Sequence, residues 1–203
     1  MNEQTNEQKR RTCITRLQDF KAGYHKRDDG GETPYIEGYF AVYDDVYELW
    51  AGATESFAPG AFDKAIQGDV RALVNHDTTL VTGRTKSGTL TLKTDNRGLW
   101  GHIDINTADS DAMNAHARVM RGDVDQCSIG FDIAEEKADF RENGSVHWTI
   151  QLVDPLYEVS ICTFPAYEKT SISARHRDYD EIMRRKREAW RVSMRNKLKG
   201  VNS

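Results

Sequence analysis

An α+β fold, a mostly antiparallel β-barrel or sandwich flanked by helices, is the class that this 203-residue sequence predicts. Three observations point there. Runs rich in β-branched and aromatic residues recur at short intervals, as in Tyr35-Ile36-Glu37-Gly38-Tyr39-Phe40-Ala41-Val42-Tyr43. Turn chemistry separates them, as in Asp28-Asp29-Gly30-Gly31, Lys86-Ser87-Gly88, Asp95-Asn96-Arg97-Gly98 and Asn143-Gly144. Only two long stretches, 107–121 and 178–199, have helical character. Closely spaced strands with few helices between them pair as antiparallel neighbours and leave the helices outside.

Residues 1–11 are polar, lack an apolar period and read as a disordered tail. An imperfect alternation over 12–20 allows a first strand. Residues 35–43 form a strand bent at Gly38, and 44–57 read as a loop with a short strand near 49–51. After Pro59, the spacing of Ala61, Phe62, Ala65 and Ile66 predicts a short helix closed by Gly68. A strand over 70–74 ends in Asn75-His76-Asp77, and hairpin-linked strands follow at 80–85, 89–94 and 99–105. In the helix 107–121, Thr107 or Asp109 is the cap, Met113, His116, Ala117 and Met120 share a stripe, and Gly122 is the stop.

The stretch 124–131 has a period of two. Cys127, Ile129, Phe131 and Ile133 face one way, and Gln126, Ser128, Gly130 and Asp132 the other, which predicts a half-buried strand with Ser128 on its polar face. A strand over 147–153 is expected to break at Asp154-Pro155. In the last strand, 156–164, Tyr157, Val159 and Ile161 oppose Glu158, Ser160 and Cys162. Residues 178–199 have helix-forming composition, with Tyr179, Ile182, Met183, Trp190 and Met194 as sparse apolar positions on a charged surface. The organisation expected is one domain over 12–175 between the tail 1–11 and a basic helical tail over 176–203.

A hydrophobic share of 38% and a mean hydropathy of -0.71 are low for a compact globule, in keeping with solvated ends. The net charge of -4 argues against a nucleic-acid-binding chain, although the end is basic from Arg175 onward. Such a basic tail is either a solvated face or a docking element for an acidic surface. Three separated cysteines, Cys13, Cys127 and Cys162, suggest neither a disulfide framework nor a zinc knuckle. No apolar run approaches the roughly 18–20 residues needed to span a bilayer, and the first residues are too polar for a secretory signal. A soluble intracellular protein without membrane or nucleic-acid partners is expected.

Ser128 is a small hydroxyl with Gly130 two residues on along the same face. A serine is a poor nucleophile unless a base takes its proton, and the base needs a partner to hold its tautomer. Of six histidines, His25, His116, His147 and His176 read as structural or solvated, and His102 is a weaker candidate. His76 stands at a strand end, where functional side chains tend to project, and is the best base. For the third member, Asp77 adjoins His76 but points to the opposite face of an extended chain, and Asp132 lies roughly 13 Å along the strand from Ser128. Glu158 is more attractive, because a charge on an otherwise apolar strand needs a partner. A metal site built on His76 and Asp77 lacks a spaced ligand set.

Three ordered stretches carry a resemblance: Leu73-Val74-Asn75-His76-Asp77, Asp125-Gln126-Cys127-Ser128-Ile129-Gly130-Phe131, and Leu156-Tyr157-Glu158-Val159-Ser160-Ile161-Cys162-Thr163-Phe164-Pro165-Ala166-Tyr167. With 38–43, 57–62 and 97–100, they resemble the prohead maturation proteases of tailed bacteriophages, over roughly 35–167. The resemblance implies a serine endopeptidase related to the herpesvirus assemblins, with a helix-wrapped β-barrel. It implies His76, Ser128 and Glu158 as catalytic residues, although the assemblins use a second histidine as third member. It places oxyanion donors near Ala166 and Tyr167 and calls for no cofactor or metal. The implied substrates are the scaffolding segment of the phage major capsid protein and the protease itself, cut inside the immature prohead in the host cytoplasm. A homodimer is also implied by the assemblins, though no stretch marks a dimer face. The alternative is a non-catalytic capsid assembly or scaffold-binding protein on the same fold.

Overall fold

The computed structural model describes residues 20–26, 28, 30–141 and 143–164, the backbone alone of 11–16, and residues 179–181, 183–185, 187, 188, 190–192, 194 and 195. The chain divides into two compact units, 1–167 and 168–203. The described residues of the second unit have helical backbone.

The first unit is mostly β. Among the described residues its strands are β1 (Arg11–Arg16), β2 (Lys21–Lys26), β3 (Glu32–Val42), β4 (Tyr47–Trp50), β5 (Ala53–Phe57), β6 (Arg71–Val74), β7 (Asp77–Arg84), β8 (Leu90–Thr94), β9 (Gly98–Asp104), β10 (Gln126–Phe140) and β11 (Val146–Cys162), with one α-helix, α1 (Ser110–Arg121). Among the described residues the strands form two sheets and close no barrel. One is four-stranded, in the order β2-β3-β9-β8. The other is seven-stranded, in the order β1-β10-β11-β5-β4, with β6 and β7 joined to it through β11. A core containing Ile36, Phe40, Phe57, Phe62, Leu99, Ile103, Ile129, Phe131 and Ile161 draws on both sheets.

The four-stranded sheet follows its sequence pattern. Ile36 and Phe40 of β3 and Ile103 of β9 are buried, while Tyr35, Glu37, Tyr39, Trp100, His102 and Asp104 line the other, half-buried face. Gly98 is required at the start of β9, because a Cβ there would collide with the carbonyl of Ala41.

The seven-stranded sheet departs from expectation in two ways. First, 147–153 and 156–164 are not separate strands. β11 continues through Asp154-Pro155, a cis peptide, and β10 runs on to Phe140, giving one long antiparallel hairpin with register irregularities between Gly130 and Glu136. Second, β11 carries parallel neighbours on its other side, with Val146–Ile150 against β5 and Glu158–Ile161 against β6. β10 and β11 are therefore interior strands, and from 127–132 and 158–162 both faces are buried.

The helix begins at Ser110, with Asp109 as its cap accepting from the amides of Asp111 and Ala112, and ends at Gly122 in the left-handed conformation. Its buried face is Ala112, Ala115, His116 and Val119, while Met120 is exposed. The apolar stripe predicted through Met113 and Met120 is thus rotated by about one residue, because small alanines allow closer packing than methionines. The short helix after Pro59 is a 3₁₀ turn over Ala65–Gln67, closed by Gly68. His25, expected near a flexible turn, lies in β2, a strand that the alternation over 12–20 did not predict.

Candidate active site

His76 is presented by a two-residue hairpin loop. Val74 and Asp77 pair directly, which leaves Asn75 and His76 as the loop, with φ of 51° and 61°. Positive φ at both central positions is the type I′ geometry that usually takes Asn-Gly. A histidine in place of that glycine costs on the order of 1–3 kcal/mol of backbone strain. Three hydrogen bonds to β11 and the residue after it hold the loop in place. The Asn75 amide donates to the Ile161 carbonyl at 2.8 Å, the Thr163 amide donates to Asn75 Oδ1 at 2.9 Å, and the His76 amide donates to Ser160 Oγ at 3.3 Å.

The parallel pairing of β6 with β11 sets this loop beside Glu158, Ser160 and Cys162, which share one face of β11. Glu158 is 1% exposed. Its Oε1 lies 2.6 Å from His76 Nδ1, and its Oε2 accepts from the Ser160 hydroxyl at 2.6 Å. An unpartnered carboxylate at this depth would cost several kcal/mol, and these bonds offset that penalty. A carboxylate only accepts, so the favoured tautomer of His76 carries its proton on Nδ1 and leaves the lone pair on Nε2. Nε2 lies 3.9 Å from Cys162 Sγ. Burial, with the Glu158 charge adding to it, pushes the Cys162 thiol up to about 12, so it stays protonated and is not a nucleophile at neutral pH.

Ser128 enters through strand register. On β10, Gly130 stands opposite Glu158, Ser128 opposite Ser160 and Gln126 opposite Cys162. The His76 ring has Nδ1 at Glu158 and Nε2 at Cys162, and Ser128 holds the register midway between those two positions. The polar face of β10 and that of β11 are therefore one surface. It is not open to solvent: Ser128 and Ser160 are both 0% exposed. The half-buried strand expected around Ser128 is corrected on this point, because side chains on both faces of β10 are buried over residues 127–132.

The other candidates lie elsewhere. Asp77 accepts from the hydroxyl and amide of Thr79, which hold its carboxyl below the usual range, and it does not take the His76 ring. Asp132 is bonded by the Tyr157 hydroxyl at 2.7 Å. Both ring nitrogens of His147 meet hydroxyls, Thr54 at 2.9 Å and Ser56 at 3.1 Å. His116 holds the Gly23 carbonyl at 3.0 Å, and His102 sits between Glu37 and Asp104. His176, Ala166 and Tyr167 lie outside the described residues.

Two contributors were not singled out by sequence reasoning. Ser160 anchors both Glu158 and the His76 loop, and Asn75 ties that loop to the end of β11. Ser160 was legible as the residue between Glu158 and Cys162 on one face. Asn75 was legible only as a turn-former.

Residues 22–185 match the family described as caudovirus prohead serine protease. The chain belongs to this family. It is 30% identical over 142 residues to the prohead protease of Enterobacteria phage HK97, an alignment covering 68% of this chain and 60% of that protein. The chain thus spans less than two thirds of the length of that prohead protease. A solved structure of the bacteriophage T4 capsid assembly protease is similar over 79% of this chain and 100% of its own, with a TM-score of 0.47 and 12% identity. Among the described residues, no helix is long and apolar enough to cross a membrane.

Proposed function

We propose that this chain is a serine endopeptidase of phage capsid maturation. It acts inside the immature prohead in the host cytoplasm, cutting the scaffolding segment of the major capsid protein and itself. The observation that carries this reading is the 2.6 Å His76–Glu158 pair, its carboxylate buried and its imidazole partly exposed, on the face that Ser128 shares, in a chain of the prohead serine protease family. An assemblin-like arrangement of the sheets, a homodimer and a charged C-terminal helix belong to the same reading.

His76 Nε2 takes the Ser128 hydroxyl proton as Oγ attacks the scissile carbonyl carbon. The tetrahedral intermediate collapses as Nε2 returns that proton to the leaving amine, and water then hydrolyses the acyl-enzyme by the same route. Glu158 Oε1 keeps the proton on Nδ1 and stabilises the imidazolium that forms. Ser160 holds Oε2, so the carboxylate cannot swing away from the ring. Because Ser128 is fully buried, substrate access requires movement of the segments covering it.

That same burial favours the second reading, a non-catalytic assembly protein that keeps the fold. Co-expression with the cognate capsid protein, followed by mass spectrometry, separates the two. The wild type is expected to yield capsid fragments and Ser128→Ala none. Identical fragments from Ser128→Ala would remove Ser128 as the nucleophile, and no fragments from a folded wild type would favour the assembly protein.

A further inference from the structure

Away from the His76 site, the outward face of the four-stranded sheet gathers an unusual donor set. His25 of β2, Glu37 of β3 and His102 of β9 come from three adjacent strands, and their ligand atoms lie within 4.8 Å of one another. Glu37 and His102 are direct cross-strand partners, with His102 Nδ1 2.9 Å from Glu37 Oε2. The ring centres of His25 and His102 are 5.3 Å apart, and two imidazoles on one tetrahedral ion place their centres roughly 5 Å apart. Tyr35 stacks against His25 at 4.0 Å and lies 5.1 Å from His102, which fixes both rings.

We propose that His25, Glu37 and His102 form a binding site for a divalent transition ion of the zinc type, which fastens the edge strand β2 to β3 and β9. Two imidazoles and one carboxylate are a borderline donor set that suits zinc, cobalt or nickel over calcium or magnesium. With Nδ1 of His102 on the ion, its Nε2–H faces Asp104 Oδ1 at 3.3 Å. That is the carboxylate–histidine–metal relay that raises ligand basicity. The two oxygens of Glu37 are already divided, since Oε2 faces His102 while Oε1 pairs with Lys21 at 3.0 Å. The ion therefore takes Oε2 without displacing the lysine. Three protein ligands on a partly open face leave room for water, so the ion exchanges with solvent.

The site lies on the sheet that does not carry Ser128 or Glu158, and its test needs no protease activity. Untagged, metal-free full-length protein is titrated with Co²⁺ alone. The expected result is a visible d–d absorption band saturating at one ion per chain, bleached by Zn²⁺. Zn²⁺ is also expected to raise Tm and slow amide exchange in β2. His25→Ala and Glu37→Gln should abolish the band, Asp104→Asn should weaken Zn²⁺ binding about 10–100-fold, and Ser128→Ala should leave it unchanged. A wild type that gives no band, or a band of equal affinity in His25→Ala and Glu37→Gln, overturns the proposal.

Discussion

Replacing Glu158 with Gln keeps the shape of the side chain and removes its charge, which isolates the contribution proposed for it. The carboxylate accepts from two sides, His76 Nδ1 and the Ser160 hydroxyl, both at 2.6 Å. A glutamine has one accepting oxygen. If that oxygen serves Ser160, its amide group meets Nδ1 and forces the proton onto Nε2, the wrong tautomer for a base. If it serves His76, the tautomer survives but the imidazolium formed during attack loses its counter-charge. Charge centres about 4 Å apart at an effective dielectric of about 20 interact by roughly 4 kcal/mol, nearly three powers of ten in rate. The amide dipole recovers part of this, so a loss of about 10²–10³-fold is expected. Acylation of Ser128 by a fluorophosphonate, timed by mass spectrometry on intact protein, reads this without knowledge of the cleavage sequence. Thermal melting establishes that the variant is folded. A folded Glu158→Gln protein labelled at the wild-type rate would refute the assignment of Glu158 as the group that positions His76.

Cys162 provides an alkaline signature. Its pKa is raised from 9.0 to about 12 in the folded state, so between those values the unfolded chain has lost a proton that the native chain keeps. Stability therefore falls as pH rises from about 9 toward about 12, and Cys162→Ala should show a shallower fall in urea melts over that window. At pH 8 native Cys162 should alkylate far more slowly than in the unfolded chain, as read by mass spectrometry at that residue. Asn75→Ala removes the acceptor for the Thr163 amide and places a Cβ residue with less tolerance at φ 51°, so a loss of about 1–3 kcal/mol is expected. Asn75→Gly should lose less, and the reverse order in Tm would contradict the turn assignment. Phe131, 1% exposed and 5.4 Å from the Phe57 ring, should cost about 3–5 kcal/mol as alanine, measured by chemical denaturation.

Local physics written in the sequence determined much of this protein. Period-two runs with turn residues between them set the strands β3, β6, β8 and β9, and Asp109 with Gly122 set the ends of α1. Alternation placed Ser128 on one face of its strand and Glu158, Ser160 and Cys162 on one face of another. The order of those motifs marked the family before any fold was drawn. Tertiary structure alone decided how they meet. The parallel pairing of β6 with β11 crosses more than eighty positions of chain, as in the 82-residue separation of His76 and Glu158, and local propensity carries no trace of it. Continuation of β11 through Pro155, burial of both faces of β10, and the rotation of the α1 stripe toward its alanines were likewise settled by which neighbours packed on either side. Sequence fixes which side chains share a face because backbone geometry is local. Which two faces become one surface is a non-local choice, made by the whole core at once.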